Sequence, residues 1–108
     1  MSNNTKVYTV DFYGVRTYID IHTRLSDGFG FPAYYGANLD ALWDCLTDLL
    51  CDTVHIELRN FDVLEKLEAE YAQKILSVFR DLKHAYHDEY YDFVYVFVFR
   101  GNDAEEIL

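Results

Sequence analysis

The chain has 108 residues, 51% of them hydrophobic and 18% aromatic, so it can fill one dense core; disorder and a second domain are both excluded as readings. Nineteen acids against nine bases leave a formal net charge of -10, and a field of that sign repels phosphate backbones, which argues against direct nucleic-acid binding. No run approaches the ~18 apolar residues that span a bilayer, and Met1 to Lys6 carries no apolar signal segment, so a soluble, cytoplasmic protein with no membrane partner is expected.

The two cysteines, Cys45 and Cys51, would stand about 9 Å apart along a shared helix, too far for a bridge, and read as free thiols in a reducing compartment. With one Pro, five Gly and no low-complexity tract, there is neither an interdomain linker nor a repeat. The expectation is one domain over 1–108, with its core at about 6–99 and short frayed termini at Met1–Thr5 and Asn102–Leu108.

Val7 to Phe12 alternates Tyr8, Val10 and Phe12 against Val7, Thr9 and Asp11, as a strand does, and Tyr13-Gly14 breaks it. From about Ile19 to Phe29, Ile21, Leu25 and Phe29 recur at helical spacing, with Gly28 and Gly30 marking the end. Phe31 to Gly36 reads as an ordered loop, and Asn38 is a good N-cap for a second helix over about Leu39–Leu50. Thr53–Arg59 sets Val54, Ile56 and Leu58 against outward His55 and Glu57, a second strand, after which Asn60–Asp62 is read as a turn. Leu64, Leu67, Tyr71, Ile75, Val78, Leu82 and Tyr86 keep the three-and-four spacing of one long helix or two joined ones. Phe93–Phe99 is apolar on both faces, as a strand covered on both sides would be. The order β-α-α-β-α-β predicts an α/β fold, a small three-stranded parallel sheet packed with three to four helices.

Between Arg24 and Arg59 there is no Lys or Arg, yet Asp27, Asp40, Asp44, Asp48, Asp52 and Glu57 all lie there. Asp40, Asp44, Asp48 and Asp52 recur every fourth residue, so as far as a helix persists they form one ridge of like charge, at a cost of about 0.2–0.5 kcal/mol per pair. At about 100° per residue from Asp40, Asp44 falls near 40° and Asp48 near 80°, while Leu39, Leu42, Leu46 and Leu49 cluster between about 180° and 260°. The acids therefore point away from the core. A solvated helix face is the plain explanation, and it suits Asp40, whose carboxylate is favoured by the dipole in a first turn. It does not suit Asp48, near the carboxyl end, or Asp44, which gains little either way. Trp43 flanks the ridge near 300°, and Tyr34 and Tyr35 precede it; acid beside aromatics makes a surface fit for a cationic partner.

Tyr34-Tyr-Gly-Ala-Asn-Leu-Asp-Ala-Leu-Trp-Asp-Cys-Leu-Thr47 resembles the signature segment of the barstar family, intracellular inhibitors of barnase-type bacterial ribonucleases. The likeness runs unbroken from Phe31-Pro32, returns more weakly at Ser77-Val-Phe-Arg-Asp81, and with the matching element order covers about residues 6–99. It implies a three-stranded parallel sheet packed with helices, and a non-enzymatic immunity or antitoxin protein that blocks a basic ribonuclease, with 1:1 pairing and no cofactor or metal. It further implies that Asp44 enters the nuclease active site in place of a substrate phosphate, pairing with arginines and the catalytic histidine. By the same resemblance Asp40 is a second inhibitory acid and Tyr34 packs on that histidine. Trp43 and Thr47 are further contacts, and Asn38, Asp81 and Asp48 complete the expected nuclease-binding set. Asp81 stands where the family has Glu, Asp48-Leu49 where it has Gly-Trp, and Cys51 and Ala85 where it has acids, so the rim of the surface differs.

Two other readings compete. An enzyme could use the Asp40/Asp44 pair with His22, His55, His84 or His87 as bases, but two acids on an exposed ridge lack the divergent environments that acid-base work needs, and no nucleophile elbow, P-loop or dinucleotide motif is present. Cys45, Cys51 and His55 lack the paired spacing of a metal site, which leaves a buried Cys45 as the simpler reading, and His84 and His87 near Asp88 read as surface residues. The second competitor is a binding module of the same fold for a different basic protein, another toxin or a regulator.

Overall fold

Four strands, β1 (Lys6–Asp11), β2 (Val54–Arg59), β3 (Val94–Arg100) and β4 (Asp103–Ile107), form one sheet in the spatial order β1-β2-β3-β4. The first three run parallel and the last antiparallel, in a computed structural model that describes residues 5–50, 53–87 and 93–108. Between them lie α1 (Tyr18–Phe29), α2 (Leu39–Leu49), α3 (Phe61–Leu67) and α4 (Ala69–Ala85). The cysteine Cys51, the fourth ridge acid Asp52, Asp88 and the first four residues fall outside the described ones.

Parallel strands placed in sequence order need crossovers of the same hand, and right-handed crossovers carried in one direction put every helix on the same face. The burial follows that rule. Val10, Val54, Ile56, Leu58, Val94, Val96 and Val98 are buried in a single core with Ile21, Leu25, Leu42, Leu46, Ile75, Phe79 and Leu82 from the helices. The alternating residues His55, Tyr95, Phe97 and Phe99 are only half-buried and lie outside that core, although the Lys83 ammonium of α4 comes within 5.1 Å of the Tyr95 ring. This corrects the expectation that β3 is covered on both sides: its second row is shielded mainly by side chains of the neighbouring β2, His55 lying 5.0 Å from Tyr95 and the Arg59 guanidinium 4.4 Å over Phe99.

Helix α1 is capped at both ends. Thr17 Oγ1 accepts the Asp20 amide at 3.1 Å and Asp20 accepts the Arg16 amide at 2.9 Å, while Gly30 takes the left-handed φ of 68° that closes the helix. Gly28 sets how close α1 lies to the sheet, since a Cβ there would meet the Thr9 carbonyl oxygen and Val10 Cγ2, each at 2.7 Å.

Two further expectations change, and of the two alternatives for the long amphipathic stretch the second is realised. Asn60–Asp62 is not a free turn, because Asn60, in left-handed backbone with φ 54°, leads directly into α3 and delivers Phe61 fully buried into the core. The long amphipathic stretch is two helices that meet at Glu68, whose φ of -150° breaks the helical path. The C-terminal segment is not frayed: Asn102–Leu108 contains β4, so the sheet has four strands rather than three. Gly101, with φ 58°, and Asn102 make the two-residue hairpin turn; Ile107 pairs with Val96 and is 4% exposed; and Arg100 joins β3 to Glu65 on α3 at 2.7 Å and to Glu105 on β4 at 2.6 Å.

Candidate binding surface

The loop ahead of α2 is tied down on one side and open on the other. Phe31 is buried with its ring stacked 5.3 Å from Phe29, Tyr35 packs 4.8 Å from Phe31, and the Tyr35 amide donates to the Pro32 carbonyl at 3.0 Å. Tyr34, between these anchors, is turned outward and 82% exposed. Ala37 sits in left-handed backbone at φ 51°, a conformation that costs a residue with a Cβ about 1–2 kcal/mol and that surrounding contacts must hold. Asn38 then returns to extended backbone and its Oδ1 accepts the Ala41 amide at 2.7 Å, the N-cap expected from the sequence.

With its start fixed, α2 packs on α4 and buries Leu42, Cys45 and Leu46, with Leu39 and Leu49 half-buried on the same side. The remaining face is set by geometry. Asp40, Asp44 and Asp48 are exposed on successive turns, and Trp43 and Thr47 flank them half-buried. Thr47 Oγ1 donates to the Asp44 backbone carbonyl at 2.8 Å, which closes the helix flank and leaves the Asp44 carboxylate unengaged by it. Asp81 is exposed on α4, the helix against which α2 rests. Thus all eight residues singled out from the sequence are solvent-facing or half-buried, seven of them on α2 or the loop before it.

Among the described residues no basic side chain bridges Asp40, Asp44, Asp48 or Asp81; the ion pairs formed are Glu57–Arg59 and the two at Arg100, on the sheet and its edge. A rigid helix therefore displays uncompensated carboxylates beside aromatic surface. Such a face can accept charge-assisted hydrogen bonds from Arg, Lys or protonated His.

The histidines are scattered instead of gathered. His22 is buried between two tyrosines, Nδ1 2.6 Å from Tyr35 Oη and Nε2 2.6 Å from Tyr71 Oη, and burial lowers its pKa from the usual value. His55 lies on the open sheet face, and His84 Nε2 lies 3.2 Å from the Leu108 carbonyl oxygen. No group of three or more metal-ligating side chains occurs among the described residues, and no helix there is long and apolar enough to cross a membrane. Cys45 is buried, and burial raises its thiol pKa, so it packs as a small apolar residue. The Tyr35–His22–Tyr71 cluster escapes sequence reading; its only trace is a histidine placed beside the Ile21/Leu25/Phe29 stripe of α1.

The family model described as Barstar (barnase inhibitor) matches residues 5–98. The chain belongs to the barstar family. A relative in Bacillus subtilis (strain 168), named "Putative ribonuclease inhibitor YrdF", is 39% identical over 70 residues, which span 65% of this chain and 77% of that protein. The acidic α2, the loop before it and α4 all fall inside the matched span, whereas β4 lies beyond it.

Proposed function

We propose that this protein inhibits a basic ribonuclease of the barnase type by filling its active site with the acidic face of α2. The observation that carries the reading is the ridge of Asp40, Asp44 and Asp48, held exposed and unbridged on a helix whose opposite side is locked into the core. A ribonuclease must grip a phosphodiester with Arg, Lys and His. A folded protein that offers carboxylates at fixed positions satisfies the same groups and presents no bond to cleave.

In this reading Asp44, at the middle of the ridge, is the group that replaces a substrate phosphate, and Asp40 supports it from the preceding turn. Tyr34 and Trp43 provide rigid aromatic contact on either side, with Asn38 and Thr47 at the flanks and Asp48 and Asp81 at the rim. Aromatic residues are enriched at interface centres. Binding also relieves the repulsion between Asp40 and Asp44 that the free protein bears. The protein acts by occupancy, in a 1:1 complex in the cytoplasm, and performs no chemistry itself.

The decisive experiment titrates purified protein against a barnase-type ribonuclease on a fluorogenic RNA substrate, with Asp44→Ala run in parallel at two salt concentrations. Stoichiometric inhibition that is lost in the variant supports the plug. A folded, monodisperse wild type that leaves the nuclease untouched overturns it and directs the acidic face to another basic protein.

A further inference from the structure

We propose that His22 is a positioning residue: by bonding Tyr35 and Tyr71 it locks the loop of residues 31–38 in the form that presents Tyr34 and starts α2. The proposal rests on the inhibitor reading above for the loop's purpose, and on the free protein alone for the lock.

The polar chain crosses three elements. Tyr71, on α4, is braced edge-on against Tyr18 at 4.7 Å; it reaches His22 on α1, and His22 reaches Tyr35 in the loop. A neutral imidazole has one N–H donor and one lone-pair acceptor, so its two nitrogens engage two hydroxyls at once, one as donor and one as acceptor. Burial to 2% exposure makes each bond matter, because a ring nitrogen or hydroxyl that loses its partner there has little access to water as a substitute.

Packing alone does not hold this loop. Pro32, Ala33, Gly36 and Ala37 are exposed, and a groove of about 210 Å³ opens between α1 and the loop, lined by His22, Pro32, Tyr35 and Ala37. Phe31 anchors the entry to the loop and Asn38 its exit. The bond from His22 to Tyr35 spans the open middle, one residue from Tyr34 and two from the left-handed Ala37. Removing it frees the backbone on both sides of Tyr34 while leaving the apolar core of the helices intact.

The test uses Tyr71→Phe, which keeps the ring and deletes the one hydroxyl that bonds His22 Nε2. In the free variant, amide exchange at Tyr35 and Ala41 should accelerate about five- to tenfold, the effect of one lost hydrogen bond, beyond any change at Val96 and Val98, which report global opening. Binding to the barnase-type ribonuclease should weaken by a similar factor. That loss should shrink in a Tyr34→Ala background, because a freed loop matters less once its exposed contact is gone. His22→Gln, which retains a donor and an acceptor, should restore part of what His22→Leu loses. Equal acceleration at loop and core amides, or a binding loss independent of Tyr34, overturns the lock and leaves His22 as a core residue. A wild type that does not inhibit overturns the inhibitor reading, and the exchange comparison then decides the lock alone.

Discussion

Asp40 and Asp44 stand one helical turn apart on α2, both exposed, with no basic side chain among the described residues bridging either. Their repulsion costs the free helix about 0.2–0.5 kcal/mol. Asp44→Ala should therefore leave the urea midpoint unchanged or slightly raised. Inhibition in the same variant should fall by about 2–5 kcal/mol in affinity, the range for truncating one partner of a buried charge pair, drawn partly from barnase and barstar themselves. Asp40→Ala should gain less stability, since its carboxylate sits in the first turn where the helix dipole favours it. A variant of Asp44 that loses stability and keeps inhibition would falsify the assignment of this residue as the plug.

Asp48 lies in the last turn of α2, where the dipole opposes a negative charge and the turn itself holds no basic residue. Asp48→Asn should stabilise the protein by about 0.3–1 kcal/mol. At the rim of the proposed interface it should slow association more than it speeds dissociation, and the difference from wild type should fade as salt shortens the screening length from about 10 Å at 0.1 M to about 3 Å at 1 M. Stopped-flow association rates across a salt series check both statements. An Asp48 effect confined to the off-rate at every salt would place it at the centre of the interface instead.

Beyond its ladder to β3, strand β4 is held by two unequal side-chain contacts. The Arg100 pair with Glu105 is short, but the Arg100 side chain is 31% exposed, so it contributes at most about 1 kcal/mol. Ile107 is buried against β3, and Ile107→Ala should cost about 2–4 kcal/mol. A chain ending at Gly101 loses both contacts and exposes the free edge of β3, a row of unpaired backbone groups. It should unfold at lower urea and self-associate on a sizing column, whereas an unchanged midpoint and a clean monomer would show that β4 is an ornament.

Most of the fold is legible because its signals are local. The two-residue period of Val54, Ile56 and Leu58, the Asn38 cap and the α1 stripe each announce an element without reference to the rest of the chain. What escapes depends on distant partners. Strand β4 reads Asp103-Ala-Glu-Glu-Ile107, a composition poor in strand formers; only Gly101-Asn102 and the apolar Ile107 betray it, and it forms because β3 supplies a ladder. The open second face of β3 follows from strand order, which no run of residues encodes. Asp40, Asp44 and Asp48 stand out in the sequence because a helix projects its face directly from spacing, while His22 and Tyr71 meet across 49 positions and leave no such pattern.

His22 also sets a pH dependence. Burial holds its pKa below the ordinary 6.5, so the folded protein keeps the ring neutral where the unfolded chain would protonate it. Between those two values the unfolded state binds more protons, and stability is complete above the ordinary pKa and declines as pH falls through the folded one. Asp11, whose carboxylate is favoured chiefly by the Asn60 side chain, loses its contribution only lower, below its ordinary 3.8, so the two effects are separated along the pH axis. Urea midpoints measured from pH 7.5 down to pH 5 should fall in wild type. In His22→Gln, which has no proton to take up at that site, they should fall less. Equal slopes in the two proteins would assign the decline to groups other than His22.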